Sequence, residues 1–217
     1  MIDQVVAQLV AVFDLGGPVV MLLLAISVVT AAVVLYKLWQ FAAAHVGRHQ
    51  ALRAAVATWD AGDRAGARAT LARSRSYLAP LVEAAFDRRD RARLQAMAEE
   101  RFVRLERGFR YLDSVAQLAP LLGLFGTVLG MIEAFQSLQA AGAQVDPSIL
   151  AGGIWVALLT TAVGLVVAMP TALVLAWFEG RMEQERVVAD TLILTAVAPV
   201  GVQDAPRLET DMVPARG

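Results

Sequence analysis

The 19 Lys and Arg residues of this 217-residue chain fall in two stretches, and the basic-free zones beside them are long enough to cross a membrane. None precedes Lys37, fifteen lie from Lys37 to Arg110, and the remaining four begin at Arg181. The basic-free zones are also the most apolar parts of a chain that is 58% hydrophobic. Only 18% of its residues are charged, against roughly 25% in an average soluble domain. Basic residues are retained on the cytoplasmic side of a bilayer. The distribution therefore predicts an integral membrane protein with its N-terminus outside and the segment after Lys37 in the cytoplasm.

Several function classes drop out early. The formal net charge of −1 gives no bulk attraction to nucleic acid. Acidic residues interleave with the arginines of 45–110, the pattern of solvated helix faces, although the Arg-rich 88–110 stretch would also suit anionic lipid. With no Cys there is no disulfide, thiolate metal site or cysteine nucleophile. His45 and His49 are the only histidines and lie four apart, but no HExxH or neighbouring carboxylate accompanies them. They read as two solvated residues just past a membrane helix, and no metal or cofactor is expected. No nucleophile–base pair suggests an enzyme, and three spans without an internal repeat argue against a small-molecule transporter. The first 36 residues lack a basic leader region, so a cleavable signal is not expected.

The reading along the chain is all-α: three membrane spans whose long helices extend into a cytoplasmic helical bundle. Residues 1–16 form an outer interfacial amphipathic helix, with Ile2, Val5, Leu9 and Phe13 on one face, broken by Gly16-Gly17-Pro18. Span one covers 17–39, with Tyr36, Lys37 and Trp39 anchoring its inner end; its Val and Leu surface, interrupted only by Ser27 and Thr30, suits lipid. Residues 40–114 are a cytoplasmic helical region. Within it Leu52, Val56 and Trp59 have helical spacing, Ala61-Gly62-Asp63 marks a turn, a second helix runs to about Ser74, and Leu78–Phe86 forms a third. From Arg91 no stop signal is evident, so one helix is expected to run on into span two, 115–136. A periplasmic loop at 137–148 leads to span three, 149–178, then a cytoplasmic helix at 179–198 and a disordered tail at 199–217.

Spans two and three carry small residues on regular faces. Gly126 and Gly130 form GxxxG, preceded by Gly123, and Ala157, Thr161, Gly164 and Ala168 fall three or four apart. Such faces let helix backbones approach closely. By helical rise, Thr127 and Thr161 lie about 12 Å and about 18 Å from the outer ends of their spans, near mid-bilayer. Each hydroxyl either binds an ion, a water or a partner's carboxylate, or bonds a carbonyl of its own helix. Thr160 adjoins Thr161 and belongs to the same candidate pathway. Glu133, near the outer end of span two, either attracts protons to a pore mouth or is an interfacial acid reaching water. Pro120 and Pro170 lie inside the spans and read as architectural kinks. Trp39 and Trp177 read as inner anchors, and Trp155 meets either a neighbouring subunit or lipid.

Gly-Leu-Phe-Gly-Thr-Val (123–128), followed by Ala-Leu-Leu-Thr-Thr-Ala-Val-Gly-Leu (157–165) and Met-Pro (169–170), resembles the MotA/TolQ/ExbB proton channel family, nearest its ExbB/TolQ branch. The resemblance covers Pro18 to about Arg186. It implies a homo-oligomer, a pentamer, in the inner membrane, enclosing the helices of an ExbD/TolR-like single-span partner, with a TonB-like periplasm-spanning protein as a further partner. It also implies that proton flow drives work on the cell envelope, such as energised outer-membrane transport. The family's pore threonines match Thr127 and Thr161, and hydroxyls of this kind suit either protons or sodium. One departure is notable: the glutamate that many ExbB-like proteins carry before the Ala-Leu pair of span three is Val156 here. That departure motivates an alternative, a non-conducting membrane scaffold that holds a single-span partner.

Overall fold

The computed structural model describes residues 2–87, 90–141 and 147–200. Among them are seven helices and no strand: α1 Ile2–Ala43, α2 Gln50–Asp60, α3 Arg64–Leu71, α4 Ala79–Asp87, α5 Arg91–Glu106, α6 Phe109–Ala141 and α7 Pro147–Val197. Three stretches are long and apolar enough to cross a membrane, within α1, α6 and α7. The all-α, three-span expectation is therefore met. The chain divides into a membrane unit, 1–39 with 106–180, and a polar unit, 40–105 with 181–217.

In the membrane unit, the break expected at Gly16-Gly17-Pro18 is a kink within α1. Gly17 has φ 66°, a left-handed conformation that a side chain would strain. Pro18 follows, where its missing N–H costs nothing at the start of a new helical run. The exposed side chains of Val28, Val29 and Leu35 give span one the apolar surface that lipid requires. Lys37 differs from expectation. It is buried, with its ammonium 5.7 Å from the Phe109 ring centroid, while Tyr36 and Trp39 are exposed. Val19 and Leu23 of α1 pack with Val115 and Ala119 of α6 and with Val167 and Ala168 of α7. Thr30 and Tyr111 share a hydroxyl contact at 3.3 Å.

The uninterrupted helix expected from Arg91 into span two does not form. α5 ends at Glu106, and Gly108 adopts φ 95° before α6 begins at Phe109. A left-handed glycine ends one helix, and its carbonyl accepts from Leu112 N–H to begin the next. The loop expected at 137–148 is also shorter, because α6 continues to Ala141 and α7 begins at Pro147. Pro120 and Pro170 both lie inside continuous helices. The tail expected beyond Pro199 lies, from residue 201, outside the described residues.

The polar unit has its own core. Leu52, Leu78, Leu81, Leu94 and Phe102 are buried, together with Met182, Leu192 and Ile193 from the C-terminal end of α7. The three- and four-residue spacing of Met182, Glu185, Ala189, Leu192, Ile193 and Ala196 gives this end of the helix a single buried face. Asp63 caps α3 by accepting Gly66 N–H at 2.8 Å. α3 ends at Leu71 instead of Ser74.

Candidate functional site

The α6–α7 seam is built on glycine. A Cβ added at Gly123 would stand 2.8 Å from the Thr160 carbonyl oxygen, and one at Gly164 would stand 2.6 Å from that of Ala119. Both obstacles are backbone, so neither can swing aside. Gly126 faces Thr160, Gly130 faces Ala157, and Gly153 faces Ala134. Each turn gained along α6 is a turn lost along α7, the mark of one antiparallel register. Gly123, Gly126, Gly130 and Gly164 all stand against residues of the facing helix.

Helical geometry, at about 100° per residue, then sorts the threonines. Gly126 and Thr160 lie on one edge of the seam. On that same edge α1 packs against α6 and α7 through Val19, Leu23 and Ile26, beside Val115, Leu122, Val163 and Val167. Thr127 and Thr161 lie about 100° round their helices from these two, on the edge that α1 does not cover among the described residues. Leu124, Val128, Leu158 and Leu165 flank that uncovered edge and are exposed.

The three hydroxyls have different partners. Thr160 is buried, and its Oγ1 donates toward two carbonyls, Ala157 at 2.7 Å and Gly123 of the facing helix at 3.1 Å. It ties the helices together. Thr127 Oγ1 donates to the Leu124 carbonyl of its own helix at 2.6 Å. Thr161 Oγ1 is buried and has no hydrogen-bond partner among the described residues. An unmatched buried hydroxyl costs about 1–3 kcal/mol, and such groups in a folded chain call for an explanation. Threonine in a helix divides between two χ1 rotamers. Rotating Thr161 breaks no hydrogen bond, since none is made. Glu133 is exposed, but it lies about 120° round α6 from Thr127 and does not share the threonine edge. Trp155, Trp39 and Trp177 are exposed. Among the described residues no group of three or more His, Asp or Glu side chains is placed to hold a metal.

The polar unit holds a cluster that sequence reasoning missed. His49, expected to be solvated, is instead buried, with Nε2 2.7 Å from Glu185 Oε2 and Nδ1 3.1 Å from Ser76 Oγ. The Tyr77 hydroxyl donates to the same Glu185 oxygen at 2.8 Å. Burial pushes the Glu185 carboxyl up, but hydrogen bonds from His49, Tyr77 and the Gly47 backbone outweigh it and hold the carboxyl below its ordinary range. Burial, then the Glu185 carboxylate beside it, raises the Tyr77 phenol well above its usual range. Glu185 stands 136 residues from His49, so no local spacing could have paired them. His45 Nδ1 contacts the Ala43 carbonyl at 2.9 Å.

Residues 63–190 match the family model described as the MotA/TolQ/ExbB proton channel family. The chain is 48% identical over 63 residues to biopolymer transport protein exbB1 of Vibrio cholerae, covering 29% of this chain and 28% of that protein. It is 42% identical over 86 residues to a putative biopolymer transport protein, ExbB-like 1, of Synechocystis, covering 39% and 34%. It is 42% identical over 69 residues to the Tol-Pal system protein TolQ of Haemophilus influenzae, covering 32% and 30%. The chain thus spans about a third or less of the length of these relatives. The family match covers more than half of the chain and includes both faces of the glycine seam and both threonines on its uncovered edge. The chain belongs to the MotA/TolQ/ExbB proton channel family.

Proposed function

We propose that this chain is a subunit of an inner-membrane motor driven by the proton gradient. With an ExbD/TolR-like single-span partner it converts proton motive force into work on the cell envelope, such as energised outer-membrane transport. The chain acts as a homo-oligomer, a pentamer, with its N-terminus in the periplasm and its C-terminus in the cytoplasm. A TonB-like periplasm-spanning protein is a further partner. Thr127 and Thr161 line the ion path on the uncovered edge of the seam. Thr160 positions that edge by locking α7 onto α6. Glu133 acts as an outer interfacial acid.

One observation supports the reading most: the Thr161 hydroxyl lacks a partner among the described residues, on an edge that the chain's own first span leaves open. A hydroxyl at that depth is useful where water, an ion or a partner's carboxylate reaches it. The test is proton flux in liposomes holding this chain and its partner. Wild-type complex collapses an imposed pH gradient, and the Thr127→Val/Thr161→Val pair abolishes the collapse while the complex still assembles. Full flux in the double variant overturns the assignment. The scaffold alternative rests on Val156 in place of the family's acid. It requires that the gradient persist even with both wild-type proteins present.

A further inference from the structure

A cleft of about 310 Å³ opens in the polar unit, lined by Trp59, Arg64, Arg68, Phe86, Asp87 and Pro199 among others. Its floor is fixed. Trp59 stacks on Phe86 with ring centroids 4.0 Å apart, and its Nε1 donates to the Ala196 carbonyl at 3.0 Å. The Arg64 guanidinium lies over the Trp59 ring, 3.7 Å from its centroid. This contact leaves the edge N–H groups of the guanidinium to find oxygen acceptors.

Arg64 Nη1 finds none. It is buried and has no hydrogen-bond partner among the described residues. The nearby carboxylates are engaged elsewhere. Asp63 caps Gly66 N–H at 2.8 Å, Asp60 accepts Val200 N–H at 2.6 Å, and Asp87 pairs with Arg68 at 2.5 Å. Arg64 is thus a charged donor held by stacking at the border of a cleft, while Asp60, Asp63 and Asp87 bond other groups.

We propose that this cleft binds a small oxyanion of the phosphate or carboxylate class, with Arg64 as principal donor and Arg68 as the second. The Arg68–Asp87 pair is more than half exposed on both sides, so exchanging Asp87 for a ligand oxygen costs Arg68 little. Two guanidinium forks suit the oxygens of one anion. The inference stands apart from the ion path: it concerns residues of the polar unit alone and holds whether or not the chain conducts protons. The same phosphate chemistry is offered by a free anion or by a lipid headgroup.

The experiment uses the full chain in nanodiscs of zwitterionic lipid at low salt, titrated calorimetrically with inorganic pyrophosphate. Wild type binds, Arg64→Gln weakens binding at least about tenfold, Arg68→Gln weakens it less, and Arg73→Gln leaves it unchanged. Arg64→Lys, which keeps the charge and loses the fork, falls between wild type and Arg64→Gln, and it carries the test if the glutamine variant does not fold. The proposal is overturned if wild type shows no binding up to about 10 mM pyrophosphate, or if folded Arg64→Gln and Arg64→Lys both bind like wild type. Repeating the titration with phosphatidylglycerol in the discs identifies the source. Competition by the lipid supports the cleft as a headgroup site, and undiminished binding supports it as a site for a soluble anion.

Discussion

Thr160 and Thr161 are neighbours in sequence with opposite hydrogen-bonding fates. Thr160 Oγ1 lies 2.7 Å from the Ala157 carbonyl and 3.1 Å from that of Gly123, while Thr161 Oγ1, buried one residue further on, has no partner among the described residues. The Ala157 carbonyl is the acceptor one turn before Thr161, the oxygen that a helical threonine ordinarily uses. The two side chains should therefore respond differently to the same substitution.

Thr160→Val removes an interhelical hydrogen bond and should lower stability in detergent by about 1 kcal/mol, within the range for such bonds in membrane helices. Thr161→Val removes a hydroxyl that makes no bond, so stability should hold or rise while proton flux is lost. Thr161→Ser should keep flux. Thermal unfolding and liposome flux measured on the same preparations separate the two effects.

The seam predicts a glycine hierarchy. Gly123→Ala and Gly164→Ala push a methyl group against backbone oxygens of the facing helix, and the resulting overpacking should cost about 1–3 kcal/mol each. Gly152→Ala and Gly180→Ala meet nothing within 4 Å and should be neutral or slightly stabilising. Folded yield and melting temperature of the four variants test the order.

Glu185 gives the polar unit an acid-sensitive contact. Its folded-state pKa lies below the ordinary carboxylate value of 4.5. The stabilisation it contributes is complete above that value and is lost as pH falls through the lower, folded one. Melting temperature should fall more steeply below about pH 4.5 in wild type than in Glu185→Gln. His49→Ala leaves the buried carboxylate with fewer donors and should destabilise the neutral-pH protein by about 3–5 kcal/mol.

Glu133 should matter little to conduction. It lies about 120° round α6 from Thr127, so Glu133→Gln should leave gradient collapse within about twofold of wild type, as expected of an exposed charge screened by salt. A large loss of flux would return Glu133 to the ion path.

Much of this architecture was legible in the sequence because the forces that set it are local. The absence of basic residues marks a span, and small residues three or four apart mark a close helix face. The break at Gly108 was not legible, because a single glycine in a charged run fits a helix interior as well as a left-handed cap. The burial of Lys37 and His49 was hidden for a different reason. Each stands beside polar or interfacial residues, and what covers it comes from distant sequence: Phe109 for Lys37, and Ser76 and Glu185 for His49. The distinction between Thr160 and Thr161 was also not legible, because it depends on the facing helix. Both sit at mid-span, and only the position of α1 shows which edge is covered.

The chain contains no cysteine, so the proposed ion-path edge can be mapped one thiol at a time. In the assembled complex, Thr127→Cys, Thr161→Cys and the lipid-facing Val28→Cys chains are treated with a small membrane-impermeant thiol reagent, which reacts with the hydrated thiolate. If the uncovered edge faces a water-filled path, the first two react at least about tenfold faster than the third. Equal, slow labelling at all three positions would place Thr127 and Thr161 against acyl chains and contradict the account.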